Sequence, residues 1–331
     1  MRVYLIRRLL LAIPTVCVVS MIIFFLVRMI PGDIIDRMMA VVLSEQGGFG
    51  ATVDRAMIEH ELGLDAPLLV QYGRWVGVVP QVNGNFSGIF QGDLGISWVK
   101  RAPVFELVAN AWPVTLELGL MGLIISQLIA LPIGIYSALR QDTWGDYIGR
   151  SFAILCISVP GFWIATLVIV FPSIWWGYMP PIMLIPFTED PIGNLRMFIV
   201  PAIVLGMALS GITMRMTRTM MLEVLRQDYI RTAWAKGLRE RVVILRHALK
   251  NALIPVVTLI GLQVPLLVGG TVIIEQIFVL PGMGRLILSA ILDRDHPLTS
   301  GVMLLFAIAV MLTNLMVDLT YGFLDPRIHY K

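Results

Sequence analysis

Asp228-Tyr-Ile-Arg-Thr-Ala-Trp-Ala-Lys-Gly237-Leu238 is a polar segment that separates two long apolar runs. The surrounding residues 215–255 contain nine of the 25 Lys and Arg residues and only three acidic residues. The Asp228 carboxylate can cap a helix by accepting a hydrogen bond from a free backbone N–H of the first turn, and Gly237 can end that helix in the left-handed conformation. The segment therefore predicts a short helix in a basic loop between membrane spans.

The spacing of apolar residues predicts which face of each helix in this loop is buried. Ile230, Ala233 and Trp234 recur at i, i+3 and i+4, so they fall on one face of the short helix. A second helix is predicted from Glu240 into the next span at Pro255, and the two helices joined at a glycine would form a rigid handle. The apolar stripe of the second helix comprises Val242, Leu245, Leu249 and Ala252.

Composition excludes a soluble protein. Of the 331 residues, 57% are hydrophobic and 14% are charged, so a soluble fold would expose a large apolar surface. The net charge of +3 does not indicate nucleic-acid binding, because the basic residues are concentrated in a few short segments. Cys17 and Cys156 lie singly within apolar runs, which predicts packing roles rather than a disulfide or a metal site.

Six apolar runs have lengths suited to crossing a bilayer, which takes about 17–25 residues. The third contains Ser158-Val-Pro160-Gly161-Phe162, which predicts a broken helix near mid-membrane, and Pro113 is expected to start the second. We therefore predict an all-α integral membrane protein with six transmembrane helices. The predicted spans are Leu9–Val27, Val114–Leu139, Phe152–Phe171, Phe198–Met214, Ala252–Ile274 and Gly301–Leu319.

The chain is expected to divide into three parts. These are an N-terminal transmembrane helix (1–28), an extracytoplasmic insert (29–112) and a five-helix membrane core (113–331) with a cytoplasmic loop at 215–251. The insert is predicted to hold a helix from Thr52 to Gly63 and a second amphipathic run to about Val79. No second histidine lies four residues after His60, so this residue is interpreted as part of a solvated helix face.

The distribution of positive charge orients the bundle. Six spans would place 16 of the 25 Lys and Arg residues on one side, in the short segments at the N-terminus, 140–151, 215–251 and 320–331. The positive-inside rule makes this side, with both termini, cytoplasmic. Arg215, Arg218 and Arg226 are expected near the inner lipid surface or a cytoplasmic partner.

Several loop motifs resemble those of inner-membrane permease subunits of ATP-binding-cassette importers, in the peptide/nickel permease branch (the "B-type" subunit). Arg231-Thr-Ala233 replaces the Glu-Ala-Ala of the broader family, as is common in the peptide-type branch. The motifs are Ala233, Ala235, Gly237, His247-Ala-Leu249, Ile254-Pro255, Leu62-Gly-Leu-Asp65-Ala-Pro67, Gly92-Asp-Leu-Gly-Ile-Ser97, Gly261-Leu-Gln263, Glu275, Pro281-Gly-x-Gly284 and the closing Asp325-Pro-Arg327.

The resemblance implies a fold like that of type I importers and half of a translocation pathway in a bacterial or archaeal inner membrane. The implied partners are a second homologous permease in a heterodimer, two ATPase subunits that carry ATP and Mg²⁺, and an extracytoplasmic substrate-binding protein. Similar permeases serve di- and oligopeptides, nickel chelates, glutathione and oligosaccharides. The residues implied in ATPase coupling are Asp228, Tyr229, Arg231, Ala233, Lys236, Gly237, Leu238 and Glu240.

Candidate pathway residues are those that are polar or helix-breaking at membrane depth; helix packing is the alternative role for all of them. An ion-coupled secondary transporter is the alternative function, although such a carrier usually needs more intramembrane carboxylates than Glu117 and Asp318. No Gly-Lys dipeptide is present, so a Walker-type phosphate loop is excluded and ATP hydrolysis falls to partners; no cofactor or metal site is expected in the chain. The pathway candidates are Glu117, Ser158, Pro160, Phe162 and Gln263.

Overall fold

The computed structural model describes residues 2–30, 35, 55–179, 181 and 183–324. Within these residues the regular elements are helices, and Ile96 and Pro103 form one isolated antiparallel bridge, which confirms the all-α prediction. The first residues of the predicted Thr52–Gly63 helix and the closing Asp325-Pro-Arg327 motif lie outside the described residues. The helices are α1 (Arg2–Arg28), α2 (Arg55–Glu61), α3 (Leu68–Val76), α4 (Val104–Leu139), α5 (Trp144–Ser158), α6 (Gly161–Trp176), α7 (Pro191–Leu225), α8 (Asp228–Ala235), α9 (Glu240–Val242), α10 (Leu249–Ile277), α11 (Met283–Leu292) and α12 (His296–Leu324).

Five stretches of the described chain are long and apolar enough to cross a membrane, and α5 with α6 adds a sixth if this bent pair forms one span. The bend between the pair is 93° and falls at the predicted break. Several helices extend beyond the predicted spans, most of all α4 and α7: α4 begins ten residues before Val114, with Pro113 inside it, and α7 continues beyond Met214 to Leu225. The apolar run marks only the membrane-thick part of a helix, and polar turns extend it.

The chain forms two compact units. The first contains Val114–Gly284 and the residues from Val310 on, and the second contains Ile6–Pro113 and Arg285–Ala309.

Helix α7 is the central element of the first unit. It packs against α5 and α10, and 61% of its apolar window is buried, against 22–33% for the other four long candidate spans. Glycines allow neighbouring helices to pack this closely on α7. A Cβ at Gly206 would lie only 2.8 Å from the Gly122 carbonyl oxygen, and a Cβ at Gly211 would lie only 2.7 Å from the Ala153 carbonyl oxygen. Close backbone approach at small residues is the usual packing mode of membrane helices.

The Pro281-Gly-x-Gly284 motif of the first unit packs against a buried acid. Glu275 is fully buried and accepts a hydrogen bond of 2.7 Å from the Thr115 hydroxyl, which in turn accepts one of 2.8 Å from the Met283 N–H. A Cβ at Gly282 would lie 2.4 Å from the Glu275 carboxyl carbon. Glycine is therefore required here for close approach.

In the second unit, α3 packs on the end of α1. The rings of Phe24 and Tyr72 are 5.3 Å apart, and the hydroxyl of Ser20 lies 2.9 Å from that of Tyr72. Arg28 donates to the Gln71 side-chain oxygen at 2.9 Å and stacks 3.8 Å from the Phe24 ring centre. These contacts hold α3, a helix of the predicted insert, against α1.

Asp295 joins two motifs of the second unit that are far apart in sequence. Its buried carboxylate accepts hydrogen bonds from the Ser97 hydroxyl, from the N–H groups of Trp98 and Val99, and from the Leu298 N–H in the first turn of α12. One carboxylate therefore caps α12 and holds the end of the Gly92–Ser97 motif.

Candidate functional site

The short helix α8 lies where the sequence predicts it, although Asp228 does not cap it. Gln227 occupies the cap position in an extended conformation and makes no side-chain capping bond, so Asp228 is the first helical residue. The cause is that the Gln227 carbonyl already accepts the first helical hydrogen bonds, from Ile230 and Arg231. The Asp228 carboxylate is 96% exposed and lies 3.4 Å from the Arg231 guanidinium.

The buried side of α8 is narrower than the periodicity predicts. Ile230 and Ala233 are buried among Met221, Val243 and the residues around them, whereas Trp234 is 45% exposed. Two side chains, Ile230 and Ala233, therefore anchor α8 on the buried cluster formed by the ends of α4 and α7 and the start of α10.

Gly237 ends this helical segment as predicted. Its φ is +73°, in the left-handed region, and its N–H donates to the Trp234 carbonyl at 2.9 Å. No described atom lies within 4 Å of a Cβ placed at this position. The requirement for glycine is therefore conformational rather than steric.

The second helix starts at Glu240 as predicted, but its predicted stripe is wrong in its first two members. Val242 and Leu245 are 37% and 50% exposed, and the buried residues are Val243, Ile244, Ala248 and Ala252. The cause is a π-helical turn over Val243–Ala248, which adds a residue to the turn and so shifts the buried face. A 3.6-residue period cannot anticipate this shift.

These helices leave an apolar and basic surface on the outside, which we call the coupling face. Its apolar members, Tyr229, Trp234, Leu238, Val242 and Leu245, are between 37% and 50% exposed. Asn251 donates a 2.9 Å hydrogen bond to the Tyr229 hydroxyl and so links α8 to α10. The charged members are Arg231, Lys236, Arg239, Glu240 and Arg241, all exposed. Exposed apolar and basic side chains on the same short helices suit a protein partner.

A buried ion pair that sequence reasoning missed braces the helix leading to this face. Arg218 of α7 donates two hydrogen bonds of 2.7 Å to the Asp146 carboxylate of α5, which also accepts from the Asp142 N–H at 3.1 Å. Arg218 had been expected at the lipid surface or a partner; its side chain is instead only 19% exposed. The available signal was an acidic residue at the start of one apolar helix and basic residues near the end of another.

The helix break holds three of the pathway candidates. Ser158, Pro160 and Phe162 lie at the 93° bend between α5 and α6, and all three are exposed. A Cβ at Gly161 would lie 4.0 Å from Ala208, so the bend approaches the middle of α7.

The remaining two candidates, Glu117 and Gln263, lie on α4 and α10. Glu117 and Asn194 line an open groove of about 500 Å³ that is otherwise mostly apolar. Gln263 is 3% exposed and donates to the Thr213 hydroxyl at 3.1 Å and to the Leu209 carbonyl at 3.3 Å, while its own Oε1 is buried without a hydrogen-bond partner. Gln263 and the bend thus contact adjacent turns of α7.

In the part of the chain that the structure describes, no three His, Cys, Asp or Glu side chains are grouped so as to hold a metal ion. His60 forms a 2.8 Å contact with Asp65 on the surface.

Comparison with known proteins gives full-length matches. A family model described as "Binding-protein-dependent transport system inner membrane component" matches residues 130–330, and one for the N-terminal part of such membrane components matches residues 1–119. A permease protein assigned to a peptide transport system in Brucella suis biovar 1 (strain 1330) is 40% identical over 100% of both chains. A dipeptide transport system permease protein of Escherichia coli (strain K12) is 38% identical over 99% of both chains.

A glutathione transport system permease protein of Salmonella paratyphi A is 36% identical, again over 99% of both chains. Among solved structures, that of an amino acid ABC transporter with histidines matches 66% of this chain and 94% of its own, with a TM-score of 0.50 and 13% identity, and so supports the fold. The match of two family models along nearly the whole sequence shows that the chain belongs to the binding-protein-dependent transport system inner membrane components, the permeases of ATP-binding-cassette importers.

Proposed function

We propose that this chain is the permease subunit that forms half of the translocation pathway in an ATP-driven importer of peptides. The observation that carries the proposal is the coupling face, an exposed apolar and basic surface on two short helices that are anchored on the membrane core. The relatives named for peptide, dipeptide and glutathione transport support a cargo with peptide bonds.

The proposed topology has six spans with both termini in the cytoplasm and residues 29–112 outside. In this arrangement α5 and α6 form one broken span, and the coupling face lies on the cytoplasmic side with most of the basic residues. The three-part division of the chain, 1–28, 29–112 and 113–331, follows from this topology.

The proposed partners supply ATP hydrolysis, the second half of the pathway and the delivery of cargo. Two ATPase subunits bind ATP and Mg²⁺ and dock on the coupling face, a second homologous permease completes the pathway as a heterodimer, and a binding protein delivers cargo to the outer side. Closure of the ATPase dimer on ATP favours one orientation of the docked helices, so the spans alternate between outward-open and inward-open states.

We assign the coupling role to the residues predicted from sequence, with distinct tasks. Gly237 sets the angle between α8 and α9, while Tyr229, Lys236 and Leu238 contact the ATPase. Ala233 differs from these because it is buried and anchors α8. The remaining coupling residues, Asp228, Arg231 and Glu240, present charge to the partner.

We also assign a pathway role to Glu117, Ser158, Pro160, Phe162 and Gln263. A broken membrane helix is a common feature of transport pathways, because its freed backbone groups and nearby polar side chains are satisfied only next to water or protein. The bend and Gln263 both contact the middle of α7, whose lower end leads to α8.

Site-directed crosslinking tests the docking role. In a Cys17→Ala, Cys156→Ala background, Leu238→Cys is expected to form a crosslink to an ATPase subunit in native membranes. Glu189→Cys, which is exposed in the proposed outer loop, is the matched control and should capture none. Failure of capture at position 238, or uptake by the chain alone under an ion gradient, would contradict the proposal and favour a secondary transporter.

A further inference from the structure

A cavity of about 310 Å³ opens between α4, α5 and α7, apart from the coupling face and the pathway candidates. Arg150, Arg215 and Arg218 line it, and no acidic side chain is among the lining residues that the structure describes. Its volume is in the range of small-molecule sites.

The arginines leave uncompensated positive charge. Arg218 is paired with Asp146 through two 2.7 Å hydrogen bonds. Arg150 and Arg215 are exposed, and neither forms an ion pair with the described part of the chain. Two of the arginines that line the cavity are therefore without a carboxylate partner in the described part of the chain, with the Arg150 guanidinium 5.7 Å from the Tyr147 ring centre. A guanidinium matches the geometry of phosphate oxygens.

The polarity of the cavity changes along α5. Ile154 and Ile157 follow Arg150 by one and two turns, and all three residues line the cavity. The Asp146–Arg218 ion pair joins the first turn of α5 to the part of α7 that leads into α8, and the proposed topology puts this end near the membrane surface. Arg150 therefore lies nearer that surface than Ile154 and Ile157 do. This arrangement fits an amphiphile rather than a simple anion.

We propose that this cavity binds an anionic phospholipid, with its phosphodiester between Arg150 and Arg215 and an acyl chain against Ile154 and Ile157. Basic pockets between membrane helices on the cytoplasmic side are suited to acidic headgroups. The proposal goes beyond the transport function, because it concerns a lipid bound beside α7 next to the Asp146–Arg218 ion pair.

Native mass spectrometry of the purified full-length chain, titrated with phosphatidylglycerol or phosphatidylcholine, tests the site. The double variant Arg150→Gln, Arg215→Gln is expected to bind phosphatidylglycerol about 30-fold more weakly, which corresponds to about 1 kcal/mol for each arginine. The double variant Arg239→Gln, Arg241→Gln removes the same charge from the coupling face and should bind like the wild type. Arg218 is left intact because it holds Asp146.

The outcomes separate the possible ligands. Selective loss of phosphatidylglycerol in the cavity variant, with an unchanged thermal unfolding midpoint, supports the site. Equal binding of the two lipids, or equal loss in both double variants, overturns it. Displacement of the lipid by millimolar inorganic phosphate would identify a free-anion site and would also overturn the lipid assignment. The measurement involves no transport, so its failure leaves the proposed function untouched.

Discussion

Arg218 holds Asp146 in a bidentate ion pair across 72 residues of sequence, and the Asp146 carboxylate is fully buried. The pair joins the start of α5 to the lower part of α7. Because α5 ends at Ser158 and α7 leads into α8, one brace connects the helix that carries the coupling face with the helix that leads to the bend. We expect movement of the coupling face to reach the bend through this connection.

Asp146→Asn should destabilise the fold, because it leaves the Arg218 guanidinium largely buried without a counter-charge. The expected loss is about 3 kcal/mol, measured as a lower midpoint of unfolding in detergent. Arg231→Gln is the control, since its exposed 3.4 Å contact with Asp228 should contribute less than about 1 kcal/mol. Equal midpoints for Asp146→Asn and the wild type would mean that the pair is not a brace.

Substitutions at Gly237 should separate backbone conformation from bulk. Valine strongly disfavours a φ of +73°, whereas asparagine tolerates it, and open space surrounds the Cβ position. Gly237→Val is expected to abolish most cargo uptake in proteoliposomes while ATP hydrolysis continues, and Gly237→Asn should retain uptake. Full uptake by the valine variant would remove the hinge role from this residue.

Local rules predicted the left-handed glycine that ends the α8 segment and the break at Ser158–Gly161, because glycine and proline act through their own backbone geometry. The same rules missed the π-helical turn over Val243–Ala248, because they assume 3.6 residues per turn throughout a helix. They also missed the partners of charged groups. Asp146 and Arg218 are distant in sequence, and only the packing of α5 on α7 brings them together.

Hydropathy predicted where the chain is apolar but not how far each helix continues. Pro113 was expected to start α4, yet the helix begins at Val104. The candidate coupling residues were identified by resemblance, and the structure shows that they differ in burial: Ala233 is buried, whereas Leu238 and Lys236 are exposed.

Gly282→Ala should be destabilising, because the new methyl group would overlap the carboxyl carbon of the buried Glu275 at 2.4 Å. Overpacking of this kind costs about 1–3 kcal/mol, and we expect a lower unfolding midpoint in detergent. Gly269→Ala is the matched control: the structure places no described atom within 4 Å of its Cβ, and alanine favours the helix. Equal unfolding midpoints for Gly282→Ala and Gly269→Ala would contradict the prediction and show that the Glu275 carboxylate can move away from the added methyl group.

Gln263→Met should distinguish a pathway role from a packing role. Methionine has a similar length and removes the buried Oε1 that has no hydrogen-bond partner, so the unfolding midpoint should change by less than about 1 kcal/mol. If Gln263 serves the pathway, binding-protein-dependent uptake should fall several-fold in this stable variant, because the polar group that faces the middle of α7 is lost. Thr213→Val removes the hydroxyl partner of Gln263 and should reduce uptake in the same direction, and the double variant should be no worse than Gln263→Met alone. Normal uptake by Gln263→Met would restrict this residue to holding α10 against α7.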